Sequence, residues 1–479
     1  MKKTISIILA AIMLIISVSA SLISCGASEK DIPSAAGTTA AEETTTVKLY
    51  LDDLGKYDFN GETFTALVRA TRIDQIDVEE EIGEIFNDAV YKRNSKVSER
   101  FNIDIEAIGL EDKAALWNTT ISGSVMANDA AYDVVMPDYW WGCETGGWFL
   151  NMRDYDDTIA FDQPWWCAGW NDNAEIYGQI YSAVGSYCID LYKNTMVVFF
   201  NKMLAESYKL ESPYALVDAN KWTLDKMMEM AAASSGDVNG DGVLDLANDR
   251  FGAYYNLWSG RALLHSCGWE CASKTDDGAF EYRFWNDDFV KLYDRVFEII
   301  NNTDYVNYSG DNPNNAFTTD RLLFYNIQMG KSAELRDMAS DFGIVPYPKY
   351  NEAQENFISY NLGTYYMAIP LSAGDPQMSA VVLEALNAET YASVIDAYYE
   401  INLKEKFSRD TDTQRMLDLV VDAIVFDFTF VNEAATDHIV MYFFDQIAKK
   451  NANISSAYEA KKEAFQLKLE QLFETYAKQ

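Results

Sequence analysis

Between residues 63 and 136 the chain alternates short β-branched runs with stretches whose apolar residues recur at helical spacing, and this alternation restricts the fold more than any other feature. Residues 63–68 read as a strand. Ile82, Ile85, Phe86, Ala89, Val90, Val97 and Phe101 then mark one apolar helix face. Residues 103–107 read as a second strand, a helical stretch follows over 113–126, and Tyr132-Asp133-Val134-Val135-Met136 reads as a third strand closed by Pro137-Asp138. Strands separated by helices pair in parallel, because a parallel connection needs a long crossover. The expected class is therefore α/β. With 49% hydrophobic residues over 479 positions the chain can bury such layers, and its length allows about two or three lobes.

Residues 139–170 are irregular and aromatic-dense, holding six of the eleven tryptophans. Further strands are expected at 179–184 and 195–200, the latter leading into Asn201-Lys202 and a helix, where a domain changes. A helix begins after Trp222 with Thr223 as N-cap and runs to the Gly/Asp-rich segment at Gly236. Strands follow at 251–255, 321–325 and 342–345, and an amphipathic helix passes through Phe465, Leu469 and Leu472 near the C-terminus. No internal repeat of 20 to 50 residues is found.

The formal charge of −36, from 74 acidic and 38 basic residues, excludes a nucleic-acid partner held through phosphates. At the N-terminus, Lys2-Lys3, an apolar run over 5–18 and small residues before Cys25 make residues 1–24 a signal peptide. Leu22-Ile23-Ser24-Cys25 resembles the bacterial lipobox, in which cleavage leaves the cysteine acylated. Each chain then contributes about 0.8 kcal/mol per buried methylene, and two or more give stable anchoring. The expected location is the outer face of the cell membrane, with residues 25–56 comprising lipidated Cys25 and a flexible linker. Five other cysteines remain, an odd number. Cys267 and Cys271 either close a local disulfide or stay free; spacing does not choose. Two histidines and no pair of CxxC elements argue against zinc.

Three segments together resemble the extracellular solute-binding proteins of carbohydrate ABC importers: Met196-Val197-Val198-Phe199-Phe200-Asn201-Lys202, then Lys221-Trp222-Thr223, then Phe342-Gly343-Ile344-Val345-Pro346-Tyr347-Pro348-Lys349 followed by Ala368-Ile369-Pro370. The resemblance implies a two-lobed periplasmic-binding-protein-like fold with the ligand cleft between lobes. It places a first lobe at 57–196 plus 346–402 and a second at 197–345 plus 403–479, with hinges near 195–201 and 343–348. It also implies capture of a sugar or oligosaccharide by lobe closure and delivery to ABC permease subunits.

A neutral sugar offers hydroxyls and flat C–H faces, so its site needs rigid aromatics beside carboxylates and amides. Asp138-Tyr139-Trp140-Trp141 stands at the carboxyl end of the third strand, where ligands enter open α/β sheets. Asp138 is the expected hydroxyl acceptor and Trp140 or Trp141 the stacking platform; packing within the first lobe is the competing role for these tryptophans. Trp258 and Arg261 are the corresponding residues of the second lobe, and Tyr360 and Asn361 lie near the second crossing. Arg69, after the first strand, reads more readily as a solvated charge.

Asp237-Val238-Asn239-Gly240-Asp241-Gly242-Val243-Leu244-Asp245 matches a calcium loop, with ligands expected from Asp237, Asn239, Asp241, the Val243 backbone and Asp245. Position 12 is Asn248 in place of a bidentate Glu, and an ordinary Asx-rich turn uses the same residues. Structural Ca²⁺ is the expectation; no cofactor for catalysis is. The chain has no G-x-S-x-G elbow, phosphate-binding Gly loop or H-E-x-x-H, so it reads as a binding protein and not an enzyme. A cell-surface glycoside hydrolase and a peptide-binding receptor are the alternatives.

Overall fold

The computed structural model describes residues 54–335, 337–398 and 411–478. The signal peptide, Cys25 and all but the last three linker residues lie outside the described residues. Two sheets form the framework. The first contains β1 (Glu62–Arg69), β2 (Ile103–Leu110) and β3 (Val134–Val135), in the order β2-β1-β3 and parallel throughout. Its crossovers are the helices α1 (Ile85–Phe101) and α2 (Ala114–Ala127).

The second sheet has the order β10-β4-β9-β5-β8, from β4 (Met196–Asn201), β5 (Phe251–Tyr255), β8 (Val306–Tyr308), β9 (Leu322–Gln328) and β10 (Phe342–Val345). β4 is antiparallel to both neighbours, and all six of its residues are buried. Burial on both faces explains why it reads as a continuous apolar run instead of an alternating one. Thr223 caps α3 (Leu224–Ser234), its hydroxyl accepting the Lys226 amide at 3.3 Å. α4 (Leu257–Ser266) leaves the carboxyl end of β5. β6 (Ala272–Lys274) and β7 (Phe280–Tyr282) form a hairpin before α5 (Asp287–Ile300). β11 (Ser359–Tyr360) pairs in parallel with β12 (Ile424–Val425).

The third expected strand shrinks to the two residues of β3, and 179–184 forms no ladder at all. At 179–184 backbone pairing is reduced to isolated bridges, Gln179 with Ile176 and Ala183 with Met367, and side chains supply further acceptors: the Asn151 carboxamide oxygen accepts the Ile180 amide at 3.0 Å and that of Asn171 accepts the Val184 amide at 3.1 Å. The returning segment meets β3 and the residues just after it through isolated antiparallel bridges, Val135 with Ala368 and Asp138 with Tyr365, and it also bridges Ala183 through Met367. Residues 346–349 stay beside the second sheet instead. The Trp222 indole donates to the Pro346 carbonyl at 2.8 Å, and Lys349 bridges Thr223.

α6 (Pro376–Glu389) is buried from Met378 to Glu389, because it packs against α1 on one side and the aromatic segment on the other. Glu384, wholly inside, accepts both the Trp165 and Trp166 indoles, at 2.9 and 2.8 Å. α7 (Ile439–Ala448) lies on α4 and α5, followed by α8 (Ile454–Lys478). Among the described residues no helix is long and apolar enough to cross a membrane. Cys143, Cys167, Cys188, Cys267 and Cys271 are all free thiols; of the two arrangements open to Cys267 and Cys271, the structure has the unbridged one.

Candidate functional site

The carboxyl ends of β1, β3 and β5 are where parallel strands present loops to a ligand, and one aromatic contact joins them. Trp140, in the turn after β3, meets Trp258, in the first turn of α4, with ring centroids 5.8 Å apart and planes at 88°. Trp140 is 41% exposed, the most accessible tryptophan of its segment. Trp258 is held by a capping box: the Asn256 side-chain oxygen accepts the Trp258 and Ser259 amides at 3.0 and 2.9 Å, while the Ser259 hydroxyl accepts the Asn256 amide. The Asn256-x-x-Ser259 spacing before an apolar run is a cap signal legible in the sequence, though a search for strands alone passes over it.

Asp138 is almost wholly buried and paired with the Arg69 guanidinium. Arg69 also reaches Asp112 through two hydrogen bonds, of 2.9 and 2.6 Å, and lies over the Trp141 ring at 5.5 Å. It is thus a paired, largely covered cation and not the solvated charge expected. Burial pushes the Asp138 carboxyl up to about 7, against the pull of Arg69. For Arg69, burial works against the charge, but the Asp112 hydrogen bonds and the Asp138 charge outweigh it and hold the guanidinium above its ordinary value. Trp141 itself packs on Trp117 with centroids 5.3 Å apart.

The remaining expected ligand residues lie inside the protein. Tyr139 stacks on Phe430 at 4.2 Å and its hydroxyl donates to the Leu362 carbonyl at 3.1 Å. Arg261 is fully buried against Glu433, Nη2 to Oε2 at 2.8 Å, with Tyr360 5.8 Å away across its guanidinium. Tyr360 stacks flat on His265, centroids 4.7 Å apart, and burial keeps that imidazole neutral by pushing it down to about 3. The Asn361 carboxamide donates to the Asp190 and Leu191 carbonyls at 3.2 and 2.7 Å and to the Thr195 hydroxyl at 3.1 Å, and accepts the Gly363 amide. Asn361 therefore ties the two crossing segments together. Sequence reasoning did not find Glu433, or Arg72, whose guanidinium pairs with buried Asp190 at 2.7 Å; each sits far in sequence from its partner.

In the Asp/Gly loop the oxygens serve the loop's own backbone. Asp237 accepts the Gly240 and Gly242 amides, Asn239 the Asp241 amide, Asp241 the Val243 amide, and Asp245 the Ala247 and Asn248 amides. Asp249 closes the loop by accepting the Val238 and Asp245 amides at 2.8 and 2.9 Å. Among the described residues no three His, Cys, Asp or Glu side chains stand together as a metal-binding group. Gly240 and Gly242 both take positive φ, +77° and +81°, which the turns require.

The fold resembles solved binding proteins at low sequence identity. One is the ABC substrate-binding protein Lmo0181 from Listeria monocytogenes in complex with cycloalternan, with TM-score 0.55 and 11% identity over 84% of this chain and 99% of that one. A cyclo/maltodextrin-binding protein complexed with maltotetraose gives 0.57 and 12%, over 86% and 98%. UgpB from Mycobacterium tuberculosis in complex with glycerophosphocholine gives 0.56 and 16%, over 80% and 95%. These likenesses fit a two-lobed architecture. No curated protein sequence matches the chain. A family model, bacterial extracellular solute-binding protein, matches residues 83–386. With two sheets meeting through their carboxyl-end loops and that match spanning more than half its length, this chain belongs to the bacterial extracellular solute-binding proteins.

Proposed function

We propose that this protein captures a sugar or oligosaccharide between its lobes, closes on it, and hands it unchanged to the permease of an ABC importer. The observation that carries this reading is the Trp140–Trp258 contact, a pair of large rings contributed one from each sheet's loop edge. Rings so placed offer apolar faces to the C–H surfaces of pyranoses. The maltotetraose and cycloalternan complexes of the structural relatives point to the same ligand class. Lobes of 57–196 with 346–402 and of 197–345 with 403–479 are the proposed halves, each built around one sheet; pairing of 346–349 beside the second sheet moves the working crossing toward Asn361. A ligand with higher affinity for the closed form shifts the population to it.

Calorimetry of residues 54–479 against neutral oligosaccharides and peptides tests the reading. Stoichiometric sugar binding without product release is the expected result; release of shortened sugars over time indicates a hydrolase, and peptide binding alone indicates a peptide receptor. Attachment to the membrane through lipidated Cys25 is part of the proposal. Cys25→Ser should move the protein from the membrane fraction to the soluble one, and continued membrane retention of that variant overturns the anchor. The Asp237–Asp245 loop is proposed as a calcium brace, since each oxygen that accepts one amide keeps a further lone pair for a cation.

A further inference from the structure

We propose that Arg69 is the positioning residue of the candidate ligand site: its guanidinium pins the loops that follow all three strands of the first sheet and so fixes the Trp140 ring against Trp258, a role that rests on the proposed capture of ligand between these rings. Arg69 ends β1, Asp112 stands two residues beyond β2 and Asp138 three beyond β3. One side chain thus meets all three loops at the edge where parallel strands present a ligand. Toward Asp112 it is bidentate, Nε to Oδ1 at 2.9 Å and Nη2 to Oδ2 at 2.6 Å, and the remaining nitrogen, Nη1, donates to Asp138. Paired N–H donors from a planar fork fix direction as well as distance.

Trp140 is held from both sides by this grip. The Asp138 carboxyl, two residues before it, is paired with Arg69 and also accepts the Trp140 indole N–H. Trp141, immediately after it, lies under the guanidinium at 5.5 Å and rests on Trp117 of α2, centroids 5.3 Å apart. The main chain between is one 3₁₀ turn, Tyr139–Trp141, in which the Trp141 amide donates to the Asp138 carbonyl at 3.2 Å. Trp140 itself is 41% exposed, so its ring takes its direction from these neighbours more than from a core. With side-chain exposures of 18% for Arg69 and 10% for Asp138, the pair is shielded from the solvent screening that weakens surface ion pairs. A lysine would carry the same charge as a point contact. It cannot hold Asp112 through two parallel bonds while meeting Asp138 with a third.

Arg69→Met, Arg69→Lys and Asp112→Asn in the full chain test this in two ways. The first needs no ligand: the near-ultraviolet circular dichroism that Trp140→Ala removes from the parent is the signature of the oriented ring. Arg69→Met and Arg69→Lys should each lose most of that band, and Asp112→Asn a part of it, with far-ultraviolet spectra unchanged. The second is calorimetry with maltotetraose, in which Arg69→Met and Arg69→Lys should weaken binding by about tenfold. An ion pair that only stabilised the fold would lower the urea midpoint and leave the band and the affinity in place. That result, or a band retained in Arg69→Lys, overturns the proposal. Should Arg69→Met fail to fold, Arg69→Lys and Asp112→Asn, which keep a cation at position 69, decide the question. If no neutral oligosaccharide, maltotetraose included, binds the parent, the capture reading falls while the spectrum still decides the role of Arg69.

Discussion

Arg261 and Glu433 form an ion pair at 2.8 Å with both side chains withdrawn from solvent, joining α4 to the turn before α7. For Glu433, burial opposes the charge, but Arg261 and the nearby His438 outweigh it and hold the carboxyl below its ordinary value. Removing one partner strands the other charge. Glu433→Gln should cost about 3–5 kcal/mol in urea unfolding, whereas Arg261→Met/Glu433→Leu should recover most of that loss. A single variant as stable as the parent would show that the pair does not hold these helices.

Ligand affinity should respond to the two rings as a unit. Trp140→Ala and Trp258→Ala are each expected to weaken oligosaccharide binding by about tenfold or more in calorimetry. Because the rings touch, the double variant should lose less than the sum of the two. Full affinity in both single variants would remove the two rings from the proposed ligand site.

Glu384 gives the protein a pH-dependent stability of definite sign. Burial raises its carboxyl from 4.5 to about 7, against the indoles of Trp165 and Trp166. Between those values the folded chain holds a proton that the unfolded chain releases, so this contribution is complete below about 4.5 and is lost as pH rises through 7. Burial of Asp133, raised to about 6, and of Glu144, raised to about 7, acts in the same sense. Glu384→Gln should flatten the fall in unfolding free energy between about pH 5.5 and pH 8 by an amount on the order of 2–3 kcal/mol, measured by urea unfolding across that range. A variant with the parent's pH slope would place the dependence elsewhere.

Calcium at a hundredfold excess over its Kd should stabilise the protein by about 2–3 kcal/mol relative to EDTA, read as a rise in melting temperature. Asp237→Ala and Asp241→Ala should abolish the rise. Identical melting with and without calcium would leave the loop as a set of Asx turns.

Much of the scaffold is legible in the sequence because local pattern and environment agree. β4 and β10 are buried on both faces and read as unbroken apolar runs, and Thr223 announces its helix by chemistry that acts within three residues. Trp140 and Trp258, the rings of the proposed ligand site, stand just after β3 and β5 as the sequence pattern places them. Tyr139, Arg261, Tyr360 and Asn361 stand in the same sequence neighbourhoods yet turn inward, because each finds its partner far along the chain: Phe430, Glu433, His265 and Thr195. A composition or spacing rule sees the residue and its neighbours, not the partner that decides whether it faces ligand or core. The 179–184 segment misleads for the related reason that isolated backbone bridges and two asparagines hold it in place of a ladder.

The Thr195–Asn361 bridge has a mechanical consequence. Two backbone passages lying side by side and fastened by the Asn361 carboxamide resist sliding past each other, while bending across both at once breaks none of these hydrogen bonds. On the proposed closure, the axis would run through Thr195 and Asn361, like a door on adjacent knuckles, with the opening along the edge farthest from that pin.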